Sequence, residues 1–200
     1  KYLLSIPNRE IKEIYKSILQ NWFKKEQKTG DLVLKLIDSL FKKDIDSFEI
    51  YLQDLLIINT SYYDGIKKIE RSLKGEEKEK QENFYHGLIL GLMLHLSDDY
   101  YIESNKEYGQ GRTDIVILPK DSNKTAFILE FKNEYTTSSK TAKEAAKEGL
   151  IQIKENQYEK SVKKTGVKQV IKIGLGLRGD EIITCSLNRL FSNIAVLSSA

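Results

Sequence analysis

Gly111-Arg112-Thr113-Asp114-Ile115-Val116-Ile117 and Phe127-Ile128-Leu129-Glu130-Phe131-Lys132 decide how this chain is read. Both segments are rich in β-branched and aromatic residues and read as strands. Between them, Pro119-Lys120-Asp121-Ser122-Asn123-Lys124 is a turn cluster, so the pair reads as an antiparallel hairpin. Residues two apart on a strand share a face. Glu130 and Lys132 therefore stand together, with Phe127, Leu129 and Phe131 on the other side. Asp114 falls on the neighbouring strand, on the side of Val116 and Leu118. Two carboxylates and an ammonium converge at one end of a hairpin whose back is apolar. Paired carboxylates bind hard divalent cations such as Mg²⁺, which take oxygen donors and keep part of their water shell.

The 200 residues around this hairpin suffice for one large domain or two small ones. Composition, 40% hydrophobic and 30% charged, is that of a soluble globular chain. A net charge of +3 is mildly basic, short of the balance that announces nucleic-acid binding by itself. The single cysteine, Cys185, rules out a disulfide framework or a Cys-rich zinc site within one chain. The longest apolar run, Leu88 to Leu96, is interrupted by Gly91 and His95 and falls well short of the ~20 residues a membrane span needs. No membrane association is expected, and no signal peptide is visible. Lys1, with no Met before it and in mid-pattern, marks the sequence as a piece of something longer.

Along the chain, Ile11, Ile14, Tyr15, Ile18, Leu19 and Phe23 predict a helix over about 9–25, and Thr29-Gly30 breaks it. Leu32 to Phe41 support a second helix. Asp46-Ser47 caps a third, carrying Phe48, Leu52 and Leu55, and residues 59–64 form a loop. The charged run 66–80 is a solvated linker and the best domain boundary. Residues 82–96 form an apolar helix in which Gly87 and Gly91 give a groove for close packing. A strand follows at 100–105, then the hairpin, a helix over 141–160, strands at 167–177 and 181–185, and a helically spaced tail from Ser186. Three helices thus precede the string α-β-β-β-α-β-β.

Asp114 followed by Glu130-Phe131-Lys132 resembles the PD-(D/E)xK nuclease superfamily, with Thr113 where its name has proline. The wider run Asn83-Phe84-Tyr85-His86-Gly87, Ser104-Asn105-Lys106-Glu107, Gly109 and Gly111-Arg112 resembles one branch of it. That branch is found behind AAA-ATPase-like domains and in toxin-type bacterial effectors. The resemblance spans about 81–184. It implies an α/β fold with a restriction-endonuclease-like core, a mixed sheet flanked by helices, over 77–185. An all-α region over 1–76 serves as linker, lid or docking module, and a tail over 186–200 follows. It also implies a metal-dependent nuclease cutting DNA within a larger protein, with Mg²⁺ or Mn²⁺ as cofactor. The compartment is the cytoplasm, or a host cell if the parent is an effector. A protein partner is expected through the N-terminal helices.

Asp114, Glu130 and Lys132 are the catalytic set. The resemblance implies Asp114, Glu130 and the Phe131 carbonyl as metal ligands, with Lys132 orienting the attacking water and offsetting charge growing on phosphorus. Supporting positions are Glu107, Arg112, Gln152, Glu82 and His86. Glu107 is either a further acidic ligand or a partner of Arg112, and a solvated strand face remains open for it. Arg112 suits a phosphate or Glu107. Glu82 and His86 are i,i+4 on the apolar helix, where an interior histidine is the plainer account. Gln152 matches the Gln of RecB-type relatives, but Tyr158 is six residues on, wider than their Gln-x-x-x-Tyr. The lysines of 140–164 alternate with glutamates and read as a solvated face. An exposed Glu130–Lys132 pair on a strand edge is the bland account of the hairpin itself. The alternative function is a catalytically silent module of the same fold that binds protein or nucleic acid.

Overall fold

The β-rich runs of the second half pair into one five-stranded mixed sheet. Its strands are β1 (Tyr100–Tyr108), β2 (Gly111–Pro119), β3 (Ala126–Glu134), β4 (Val170–Arg178) and β5 (Glu181–Cys185). They lie in that order, antiparallel except for the parallel β3–β4 pair. The computed structural model describes residues 27–62, 76–134, 138–179 and 181–186. Its helices are α1 (Gln27–Lys42), α2 (Ile45–Tyr62), α3 (Glu76–Met93), α4 (Ala142–Glu155) and the short α5 (Tyr158–Lys163). A 3₁₀ turn over Leu94–Leu96 follows α3. None of these helices is long and apolar enough to cross a membrane.

Period-two alternation sorts the sheet into two faces. Phe127, Leu129 and Phe131 of β3 and Ile173, Leu175 and Leu177 of β4 join one apolar cluster with Leu36, Leu40, Phe48, Leu52, Ile89 and Leu92 from α1, α2 and α3. Val116 and Ile128 face the other way and pack with Ile153, Tyr158 and Val162 from α4 and α5. A sheet covered on both faces explains why β3 reads as a nearly continuous apolar run. The mixed sheet between helical layers is the α/β core expected from the element string.

The β2–β3 ladder is short. It pairs Ile115 with Leu129, Val116 with Ile128 and Ile117 with Phe127, and stops there. The strands part at Asp114 and Glu130, and this parting opens the space in which charged side chains can sit.

Several local expectations are corrected. Thr29-Gly30 does not break a helix: α1 runs through it, because the buried stripe Val33, Leu36 and Leu40 outweighs a glycine costing ~1 kcal/mol. The cap of α2 is Asp44, whose Oδ1 accepts the Ser47 N–H at 3.1 Å, not Asp46-Ser47. Residues 59–62 belong to α2, not to a loop, and 76–80 of the expected linker already belong to α3. Gly87 packs against nothing within 4 Å, so it lines no close-packing groove. The single helix expected over 141–160 is two, parted at Asn156-Gln157, where Gln157 is left-handed with φ 55°. The helix expected over 9–25 and the tail from 187 lie outside the described residues.

Candidate active site

The parting of β2 from β3 leaves the Phe131 N–H without a ladder acceptor. Asp114 supplies one: its Oδ2 accepts that N–H at 2.7 Å. A strand residue points N–H and C=O to the same edge, so the Phe131 carbonyl also turns toward Asp114. On the same sheet face, Glu130 is only 1% exposed. Its Oε1 accepts from Gln152 Nε2 and lies 3.8 Å from Lys132 Nζ. Its Oε2 is buried and has no hydrogen-bond partner. Lys132 is the accessible member, with 32% of its side chain exposed. Asp114, Glu130, Lys132 and Gln152 are thus brought together.

Gln152 is placed by α4. A capping box starts that helix: Thr141 Oγ1 accepts the Glu144 N–H at 3.2 Å, and Glu144 Oε2 accepts the Thr141 N–H at 2.8 Å. Two glycines of β4 seat it against the sheet. A Cβ at Gly174 would run into the carbonyl oxygen of Ala146, and one at Gly176 into that of Ala142. This close seating lets a side chain as short as Gln152 reach Glu130.

The helix break then turns Tyr158 back toward Gln152. Tyr158 is fully buried. Its hydroxyl donates to the Arg112 carbonyl at 2.9 Å and accepts from Asn156 Nδ2 at 2.9 Å, with Gln152 Nε2 at 3.5 Å. The six-residue spacing is therefore no obstacle, because two of the six residues form a corner rather than helix. That corner grips the β1–β2 turn. The Gln110 N–H donates to the Asn156 carbonyl at 3.0 Å, and a side chain at Gly111 would press on the Tyr158 hydroxyl and the Asn156 amide. Gly109 and Gly111 are there for this close approach as much as for the turn.

The remaining positions divide. His86 lies on the opposite face of the sheet, its ring 5.7 Å from that of Phe131. Its Nε2 sits 3.2 Å from the Asp114 carbonyl and 3.0 Å from Ser104 Oγ, so it touches the Asp114 backbone rather than the carboxylates. Glu107 and Arg112 face each other across the β1–β2 ladder, both exposed. Among the described residues, Glu107 does not cluster with Asp114 and Glu130 as a further metal ligand. Glu82 lies on α3, and its side chain is outside the described set. Of the lysines, Lys140 pairs with Glu148 at 2.7 Å and Lys163 with Glu159 at 2.8 Å. A cleft of about 370 Å³ near Ile153, Gln157 and Lys172 contains none of the predicted catalytic residues. Sequence reasoning missed Asn156, Gly174 and Gly176. Asn156-Gln157 was legible as a helix-stopping pair; the two glycines give no signal until α4 is placed over them.

Burial and mutual repulsion make the carboxylates reluctant to ionise. Burial, and then the charge of Asp114, push the Glu130 carboxyl up to about 8. Asp114 is also raised, by burial, against the Phe131 N–H and the nearby His86 and Lys132. A buried carboxyl with an orphaned oxygen beside a half-buried one is short of positive charge that Lys132 alone does not provide. A divalent cation fits that deficit, and an all-oxygen donor set suits Mg²⁺ or Mn²⁺ better than a softer metal. Among the described residues, no third Asp, Glu, His or Cys joins them in a ligand cluster.

Comparison with known proteins agrees with this geometry. No curated protein and no solved structure gave a significant match. A profile of the PD-(D/E)XK nuclease superfamily matches residues 80–187, from the second turn of α3 to just past β5. That match covers more than half of the chain, and the chain belongs to the PD-(D/E)XK nuclease superfamily.

Proposed function

We propose that this domain hydrolyses DNA phosphodiester bonds with a divalent cation, Mg²⁺ or Mn²⁺, held by Asp114, Glu130 and the Phe131 carbonyl. The observation that carries the proposal is the buried, unpartnered Oε2 of Glu130 on the same face as Asp114. A surface ion pair has no reason to bury an acid without a partner; a cation site does. When bound, the cation supplies Lewis-acid polarisation of the phosphate and a more acidic water.

The chain's own groups do the rest. Gln152 fixes the Glu130 carboxylate, and the Phe131 N–H fixes that of Asp114, so both are oriented before a cation arrives. Lys132, the exposed member, orients the attacking water and faces the charge that grows on the phosphoryl oxygens. Tyr158 and Asn156 lock the corner behind Gln152. The parent is proposed to be a larger multidomain protein of which this is the nuclease domain.

The test is plasmid cleavage with Mg²⁺ and with Mn²⁺, alongside Asp114→Asn and Lys132→Met, with a structured RNA as second substrate. Cleavage of DNA by wild type that both variants lose supports the proposal. Cleavage of RNA alone moves the substrate, and a folded wild type inert on both leaves only the fold.

A further inference from the structure

Residues 154–172 hold six lysines and two glutamates. The whole chain has 32 basic and 29 acidic residues, so the rest of it is left with 26 basic and 27 acidic. All of the excess positive charge therefore lies between the end of α4 and the start of β4. The fold gathers it round the cleft of about 370 Å³ that Lys154, Lys160, Lys163 and Lys172 line together with Glu159. We propose that this cleft holds a backbone phosphate of the nucleic acid, away from the bond that is cut. The inference rests on the nuclease reading above and adds where the substrate docks.

Glu159 does not neutralise the cleft. Its Oε1 lies 2.8 Å from Lys163 Nζ, and its Oε2 accepts from Lys172, so one carboxylate is divided between two ammoniums. An i,i+4 pair on a solvated helix accounts for Lys163. It does not account for Lys172, which comes from a strand and has only 16% of its side chain exposed. An ammonium drawn that far out of water is costly unless anions surround it, and Lys172 has a share in one. A phosphate oxygen adds the missing negative charge, and the exposed Lys154 and Lys160 hold it by charge-assisted hydrogen bonds. Ile153 and Gln157 complete the lining, and no aromatic ring stands there to stack a base. The contact is therefore to phosphate and independent of base sequence.

The cleft and the carboxylates share a sheet face. Lys172 stands two residues before Gly174, the partner of Glu130 in the β3–β4 register, a step of ~7 Å along the strand direction. Between them lies α4, with Gln152 turned to Glu130 and Lys154 to the cleft. A polyanion with a phosphate every ~3.4 Å of axis along each strand spans that step.

The experiment is fluorescence anisotropy of a labelled DNA duplex, and of a structured RNA, with the full chain in a chelating buffer across a salt series. Plasmid cleavage in Mg²⁺ runs beside it. Lys154→Gln/Lys160→Gln is the test variant, since both side chains are exposed and the Glu159 pairs stay intact. Lys35→Gln/Lys42→Gln removes the same charge from α1, on the opposite face of the sheet. The expected result is binding several-fold weaker in the cleft variant, with a salt slope shallower by about one to two, and near wild-type binding in the α1 variant. Equal affinity and slope in the cleft variant and wild type, or an equal loss in both variants, overturns the inference. So does a folded wild type that ignores both nucleic acids, whether or not it takes anionic phospholipid vesicles. Cleavage with unchanged affinity in the cleft variant removes the docking site and keeps the nuclease. Cleft-dependent binding without cleavage keeps the docking site and removes the hydrolase.

Discussion

Glu130 is pulled two ways. Burial favours its protonated form, and a cation favours the carboxylate. With its carboxyl near 8 in the metal-free protein and an ordinary value of 4.5, the folded state holds a proton that the unfolded chain releases. Folded-state proton uptake means that this stabilisation is complete below about 4.5 and is lost as pH rises through about 8. Metal-free protein is therefore expected to lose melting temperature across that window, and Glu130→Gln to flatten the profile and to be the more stable of the two above it. Thermal melts in a chelating buffer from pH 5 to pH 9 check this; a wild-type profile as flat as that of the variant refutes it. The same proton opposes the cation, so Mn²⁺ affinity should rise with pH and level off above about 8. Lys132 differs, since its ammonium is accessible and pairs only loosely with Glu130. Lys132→Met is expected to leave folding and Mn²⁺ binding near wild type and to lower the cleavage rate by roughly 10²–10³-fold, which single-turnover kinetics would measure.

At the scale of elements, the seating of α4 on β4 links packing to chemistry. Gly176→Ala forces a methyl group into the Ala142 carbonyl, and both are backbone-bound, so the helix must lift. A cost of about 1–3 kcal/mol is expected in urea denaturation, together with weaker Mn²⁺ binding because Gln152 moves off Glu130. Unchanged metal affinity in a destabilised variant would show that α4 does not set the carboxylate. The strands, their faces and the convergence of Asp114, Glu130 and Lys132 were legible in the sequence, because β-periodicity and turn chemistry are local signals. The left-handed turn at Gln157 was not, since a glutamine there carries no compositional mark and only Asn156 beside it is a helix-stop residue. Nor was the parting of β2 from β3 after Ile115 and Leu129: ladder length is decided by what lies between the strands. The start of α1 was misread for the opposite reason, a local glycine signal at Gly30 overridden by tertiary burial at Leu36 and Leu40.

At the scale of the whole molecule, α1 and α2 pack directly on the sheet. Their buried residues share one cluster with β3, β4 and Ile182 of β5. They also close an edge. Among the described residues β5 pairs only with β4, which leaves outward N–H groups that would recruit another chain. Gln53 Oε1 accepts the Ile182 N–H at 2.8 Å, and Glu49 Oε2 accepts the Thr184 N–H at 2.5 Å and the Thr184 hydroxyl at 2.9 Å. Two side chains of one helix, i and i+4 apart, thus stand in for the missing strand. Replacing both with alanine strands two backbone donors at a half-buried edge, at a cost of about 1–3 kcal/mol for each donor left without an acceptor. The double variant Glu49→Ala/Gln53→Ala is expected to unfold at lower urea and to self-associate in sedimentation velocity at concentrations where wild type does not. Its Mn²⁺ affinity should hold, because the carboxylates lie on the opposite face of the sheet from α2. Loss of metal binding with stability intact would instead place α2 among the elements that position the site.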